Sequence, residues 1–382
     1  MQEAKQTVIN ARSSNIELLR IIIMIMIVGS HFAVHGDFHF DVEAITVPRL
    51  WWYVLEMGGN FGVVVFILIS GYFLIGNGTM SVSLTKIAKL WGEIFFYSIV
   101  LFCFAFVLGT DNIDGTDFIK ALFPITFSRW WFASAYFVLF LFHPYINKFL
   151  ISFTKKQFQH FLLFLLLLWS IIPMLTTSLL QTVSVVTSNT LVEFILYYSI
   201  ASYIKEYGLY PDFSSKKWFS LWFMFSMIKY LLCCLLVALG TKFRIFTIIS
   251  LLFNTRQSCF TIFSAVCFFM AFAKLKLKHS RFINEVASAT FGVYLLHDSN
   301  LLRPLLWKEL FRSSAYENTA RIIPYSVVVI LIVYICCTFV DLARKHILEK
   351  PFLRLVSPIC GKIESVFLKI RDWGGNFIFE NE

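Results

Sequence analysis

Apolar runs of roughly 17 to 25 residues, each long enough to cross the hydrocarbon core of a bilayer, recur along the whole chain. They fall at Glu17–His35, Gly58–Gly76, Ile87–Leu108, Trp130–Leu150, Phe158–Leu175, Leu191–Tyr207, Trp218–Leu239, Ser258–Leu275, Ala287–Trp307 and Ile323–Ala343. In lipid every backbone polar group must be satisfied within the protein, and a helix does this within one segment. The expected fold is therefore all-α, a polytopic integral membrane protein with about ten transmembrane helices. Composition agrees, since 58% of the residues are hydrophobic, against about 45–50% in soluble domains. Phe243–Phe253 reads either as loop or as a re-entrant piece.

The polar connections alternate in charge. One set carries Lys86 and Lys89, then Lys148, Lys155 and Lys156, then Lys205, Lys216 and Lys217, then Lys274 to Arg281, and finally Arg344, Lys345 and Lys350. Lys5 and Arg12 fall on the same side. The other set is acidic (Asp37, Asp41, Glu43 and Glu56, then Asp111, Asp114 and Asp117) or uncharged (Thr176–Thr190). Two connections break the pattern, one with Lys242, Arg244 and Arg256, the other with Arg303, Lys308, Arg312 and Arg321. Because Lys and Arg mark cytoplasmic loops, both termini are expected inside. Residues 1–350 then form one transmembrane unit and 351–382 a short cytoplasmic tail. The excess of 33 Lys and Arg over 23 Asp and Glu is scattered between spans as orientation signals, so no nucleic-acid partner is expected. Eight cysteines without C-x-x-C spacing indicate neither a disulfide framework nor a metal site. The first run contains Arg20 and lacks a small-x-small cleavage site, which makes it a retained span.

Within that first run, NIELLRIIIMIMIVGSHFAVH, Arg20 and His31 are eleven residues apart. On a helix this brings them to within about 20° of one another and separates them by about 16 Å along the axis. A charge inside a span needs a partner or a cavity. Glu17, one turn earlier, is a possible partner for Arg20, but the stripe Arg20, Met24, Ile27, His31 also describes the wall of a path across the bilayer. Imidazole suits proton transfer near neutral pH. In the second run Gly58 and Gly62 form a G-x-x-x-G pair suited to close helix packing. Lys86 and Lys89 lie one turn apart at the start of the third, with Glu93 a turn further in; they are either ordinary orientation charges or ligands for phosphates. Trp130 and Trp131 open the fourth as an aromatic belt or as a platform for a sugar ring. In the ninth, Thr290, Tyr294 and His297 share a stripe that ends at Asp298; they form either a structural network or a complement to His31.

Five stretches, NIELLRIIIMIMIVGSHF, FGVVVFILISGYFL, RWWF, TFGVYLLH and LEKPFLRL, occur in that order over nearly the full length. In this the chain resembles the bacterial membrane-bound acyltransferase-3 family, whose members O-acylate cell-surface and exported polysaccharides. The resemblance places Arg20 and His31 in the family's arginine, ten residues, histidine signature. It implies acyl-CoA, for example acetyl-CoA, as donor and no metal. It also implies a lipid-linked or nascent glycan as acceptor, a location in the cytoplasmic membrane, and possible polysaccharide-assembly partners. His31 and Arg20 would be catalytic, and Lys86, Lys89, Tyr294, His297, Trp130 and Trp131 would bind substrate. Where the family often carries two arginines three apart, this chain has Lys86 and Lys89, which keep the charge and lose the bidentate fork. The fused extracytoplasmic hydrolase-like domain of some relatives is lacking. The alternative expectation is a polysaccharide exporter or flippase that uses the same path without a base.

Overall fold

The computed structural model describes residues 13–41, 44–76, 82–109, 114–174 and 189–379. Lys5, Arg12, Glu43, Asp111 and most of the Thr176–Thr190 connection lie outside the described residues. Within them the chain is helical and contains no strand. The helices are α1 (Ser14–His35), α2 (Val47–Leu74), α3 (Leu84–Val107), α4 (Gly115–Leu122), α5 (Trp131–Ile151), α6 (Lys155–Leu166), α7 (Thr190–Tyr207), α8 (Ser215–Gly240), α9 (Arg244–Phe253), α10 (Cys259–Ala273), α11 (Arg281–Ser288), α12 (Thr290–His297), α13 (Ile322–Arg344) and α14 (Lys350–Phe379). A π-helical turn at Leu167–Ile171 extends α6, and another at Lys345–Glu349 joins α13 to α14.

Among the described residues, 7 helical stretches are long and apolar enough to cross a membrane: α1, α2, α3, α5, α6 with its extension, α8, and the continuous Ile322–Val366. The other three expected crossings differ for separate reasons. Helix α7 carries Glu193, Lys205 and Glu206, α10 has 15 residues, and the ninth is broken. That ninth run, expected as one span over Ala287–Trp307, is divided into α11, α12 and a π-helical turn at Pro304–Leu310. The chain leaves the helix at Asp298-Ser299-Asn300, side chains that compete for backbone hydrogen bonds, and Pro304 follows. The stretch Phe243–Phe253 is largely helical, as α9.

Helix α2 starts at Val47 and not near Gly58. Thr46 Oγ1 accepts from Arg49 N at 3.3 Å, and Pro48 occupies the first turn, where its missing N–H costs nothing. Glu56 therefore belongs to a helix and not to an acidic connection.

Helix α1 is the central element and packs against α2, α10, α11, α12 and α13. Leu19, Ile23, Val28 and Phe32 are fully buried around it. The glycines of α2 allow its closest approach: a Cβ at Gly58 would stand 2.8 Å from the Met26 carbonyl oxygen, and one at Gly62 2.6 Å from Ile27 Cγ1. The segment expected as a tail is helical through Phe379 and begins against α3. There Leu84 N donates to Glu364 Oε1 at 2.5 Å, and the Phe352 ring covers Gly92.

Candidate active site

The face of α1 that carries Arg20, Met24, Ile27 and His31 lines a cavity of about 610 Å³. Helix α2 adds Glu56, Asn60 and Ser70, α3 adds Lys86, Lys89 and Glu93, and α5 adds Trp131 and Tyr136. Helix α12 closes it with Thr290 and Tyr294, and Asp298 and Arg303 lie just beyond that helix. Cations gather at the Arg20 end and imidazoles at the other. The polarity follows from the α1 sequence, because the 3.6-residue period leaves a single stripe of α1 facing the space.

At the cationic end Arg20 Nε lies 3.8 Å from Glu17 Oε2, so the pairing anticipated along the helix coexists with a place on the cavity wall. Lys89 Nζ is 2.7 Å from Glu349 Oε1, whereas Lys86 has no ion pair among the described residues. Behind them lies a buried ionic cluster. The Arg344 guanidinium reaches Asp341 at 2.7 Å, Glu93 at 2.9 Å and Glu349 at 3.2 Å, and Tyr97 Oη donates to Asp341 Oδ1 at 2.7 Å.

At the other end His31 is held from behind. His31 Nδ1 lies 2.9 Å from His297 Nε2, and His297 Nδ1 lies 2.5 Å from the Val293 carbonyl oxygen. A carbonyl can only accept, so His297 Nδ1 carries the proton and its Nε2 carries the lone pair. His31 Nδ1 is then the donor between the rings, and His31 Nε2 is left as the basic nitrogen. The second residue on this hydrogen is Asp298, whose Oδ1 is 3.4 Å from His31 Nδ1 and 3.6 Å from His35 Nε2. Arg303 binds the same oxygen at 2.7 Å.

Of the eight residues singled out from sequence, Arg20, His31, Lys86, Lys89, Trp131 and Tyr294 line this one cavity. His297 stands behind His31 and is fully buried. Trp130 is buried away from the cavity, with the Arg129 guanidinium 5.9 Å from its ring. Trp131 faces the cavity and carries the Arg256 guanidinium at 4.4 Å. His35, Arg303, Glu56 and Asn60 had no site role assigned from sequence, and Asp298 was read only as the end of the Thr290, Tyr294, His297 stripe. His35 alone had a local signal, as it lies one turn beyond His31 on the same helix.

The ligand atoms of His31, His35 and Asp298 lie within 4.8 Å of one another, a spacing a cation would accept. Arg303 already neutralises the carboxylate oxygen that such an ion would need, and its fixed charge opposes a second cation there.

A family model described as an acyltransferase domain matches residues 13–341. The chain belongs to the acyltransferase-3 family. It is a multi-pass membrane acyltransferase. No curated protein and no solved structure matches it. The match begins one residue before α1 and ends at Asp341, within α13, so every residue that lines the cavity falls inside it, while Arg344 and Glu349 of the ionic cluster lie beyond it.

Proposed function

We propose that this acyltransferase moves an acyl group, acetyl being the simplest, from cytosolic acyl-CoA to a hydroxyl of a cell-surface or exported polysaccharide. The observation that carries the reading is one continuous cavity with cations at one end and a tautomer-fixed imidazole at the other. Acyl-CoA is polyanionic at its nucleotide end and reactive at its thioester. Arg20 and Lys86 suit the phosphates, with Lys89 as a further cation held in place by Glu349. The thioester then points along the α1 stripe toward His31.

The acceptor hydroxyl gives its proton to His31 Nε2 as its oxygen attacks the thioester carbonyl carbon. The tetrahedral intermediate collapses with cleavage of the C–S bond, and the imidazolium returns the proton to the departing thiolate, so that an ester and free CoA result. General-base assistance of this kind is worth about 10² to 10⁴ in rate. While His31 carries the proton, the Asp298 carboxylate beside Nδ1 stabilises its charge, and Arg303 keeps Asp298 ionised and in place. Tyr294, on the wall between Thr290 and Asp298, orients the substrates, and Trp131 presents an apolar face to the acyl chain or a sugar ring.

The protein in this reading works in the bacterial cytoplasmic membrane with both termini inside, taking acyl-CoA from the cytoplasm and a lipid-linked or nascent glycan from the other face. The test compares surface glycan from a deletion strain complemented with wild-type or His31→Ala protein, read by mass spectrometry. The expected result is loss of one acyl mass increment with the polymer still exported. An unchanged acyl content in the His31→Ala strain rejects the mechanism, and loss of the polymer itself favours an exporter.

A further inference from the structure

Beyond His35 the cavity opens into a second chamber of about 760 Å³, which shares Val34, His35 and Arg303 with the first. Its lining differs in kind. Phe38, Phe40, Trp52 and Tyr53 contribute aromatic rings, while Asp37, Lys308 and Asn300 contribute planar or charged polar groups. The aromatic side is rigidly built. Phe38 and Phe40 stack at 5.5 Å with an interplanar angle of 7°, and Phe40 meets the edge of Trp52 at 6.4 Å. Trp52 Nε1 donates to the Ala33 carbonyl at 2.8 Å, which ties the indole to the end of α1. The polar side is equally defined, with Lys308 Nζ 2.8 Å from Asp37 Oδ1. Asp37 sits in the left-handed region at φ 61, where aspartate is found more often than most side chains.

We infer that this chamber is the acceptor site and that it takes an uncharged pyranose ring. A pyranose has an apolar face that suits aromatic rings and a rim of hydroxyls that both donate and accept. Asp37 and Asn300 accept from such hydroxyls, and Lys308 and Asn300 donate to them. The prior commitment of the cations' hydrogen-bond donors favours a neutral ring over an acidic one. Lys308 is opposed by Asp37 and Arg303 by Asp298, while Arg49 keeps its charge but commits its Nη1 to the backbone carbonyls of Asp41 and Ala44 at 3.2 and 2.8 Å. A carboxylate on the sugar would thus gain a charged hydrogen bond only by drawing one of these donors away from an existing partner.

The geometry also joins the chamber to the chemistry. The His31 and His35 ring centroids are 5.3 Å apart, so a ring resting on the aromatic side presents a hydroxyl across the His35–Arg303 rim to His31. The inference rests on the acyltransferase reading for its reaction and on the chamber alone for its binding.

The test uses the full chain in lipid nanodiscs. Methyl pyranosides (glucoside, galactoside, mannoside and N-acetylglucosaminide) and methyl glucuronide are offered to the His31→Ala protein. Binding is followed by saturation-transfer NMR, with glycerol as the non-sugar control. At least one neutral pyranoside is expected to bind, with its affinity falling about tenfold in Trp52→Ala. Trp52→Phe, which retains a ring, should restore most of it, and Lys308→Met, at the open rim, should weaken it without disturbing the fold. The glucuronide should bind more weakly than the neutral ring. Absence of any pyranoside signal, or binding unchanged by both Trp52→Ala and Lys308→Met, overturns the site. Stronger binding of the glucuronide overturns its stated charge preference. Pyranoside binding together with no acyl glycoside from the wild-type protein and acetyl-CoA leaves the chamber standing and sinks the transfer reaction.

Discussion

His297 never reaches the cavity, yet it decides which nitrogen of His31 is the base. Its Nδ1 is committed to the Val293 carbonyl, so its Nε2 can only accept from His31. His297→Leu removes that acceptor and leaves the His31 tautomer to the longer 3.4 Å contact with Asp298 alone; kcat is expected to fall by at least about tenfold with little change in KM for acyl-CoA. His297→Gln, whose amide oxygen also accepts, should recover part of the loss, a pattern that a purely structural role for His297 would not produce. A second prediction concerns Asp37, outside the spans. The hydrogen bond from Lys308, with its charge and that of His39, holds the Asp37 carboxyl below the usual carboxylate range. A depressed value means that the Asp37–Lys308 pair is fully formed above the ordinary carboxylate range and is lost only as pH falls below it. Pyranoside binding should therefore stay level on mild acidification and drop only under stronger acid, while Asp37→Asn should flatten that drop. At this scale the sequence was informative where chemistry and helical period coincide, as at Arg20 and His31. It was silent about Asp298 and Arg303 as partners of His31, because no local spacing links a turn after α12 to a residue of α1.

At the scale of elements the decisive contact is α1 against α2. The G-x-x-x-G pair was legible as a packing surface, and the close approach at Gly58 and Gly62 gives it a physical content: side chains there would enter the backbone or branched side chains of α1. Gly62→Val is expected to destabilise the protein by about 1–3 kcal/mol through overpacking, and to lower the cavity's catalytic rate because it shifts the helix that carries His31. Thermal unfolding in detergent, with Gly361→Ala as a control at a position open to space, checks it. The start of α2 was also written in the sequence. Thr46, Val47 and Pro48 form a helix-start signal, but an apolar-window reading places the boundary at Gly58 because Arg49 and Glu56 interrupt the run. The break in the ninth run is harder to read. Its residues are apolar enough to span, and the interruption at Asp298-Ser299-Asn300 is stabilised by Arg303 and His31, partners that hydropathy does not see.

For the whole molecule, the membrane imposes the part that is easiest to foresee: apolar runs of fixed length and a charge asymmetry between connections. Three of the exceptions to that asymmetry are cations with carboxylate partners. Arg256 pairs with Glu193 at 3.0 Å, Arg303 with Asp298 and Lys308 with Asp37, which weakens them as orientation signals. Both termini are accordingly expected on the cytoplasmic face, and a C-terminal tag open to protease in intact spheroplasts would reverse the assignment. What sequence alone does not reveal is how the bundle closes at the cationic end. Glu93, Asp341 and Glu349 come from α3, α13 and the turn before α14, and Arg344 holds all three. The buried Arg344 and the part-exposed Lys89 face three buried carboxylates and the Tyr97 hydroxyl, so each buried charge depends on the others. Removing Arg344 leaves carboxylates buried without their shared partner, a change that costs about 3–5 kcal/mol when one member of a buried ion pair is lost. Arg344→Met should therefore lower the unfolding temperature markedly. Glu349→Gln, by contrast, keeps the shape and releases Lys89 from its carboxylate. Its expected signature is a near-normal unfolding temperature with an altered KM for acyl-CoA and an unchanged KM for the acceptor. A shift in the acceptor KM instead would place Lys89 outside the donor end and would separate the ionic cluster from substrate binding altogether.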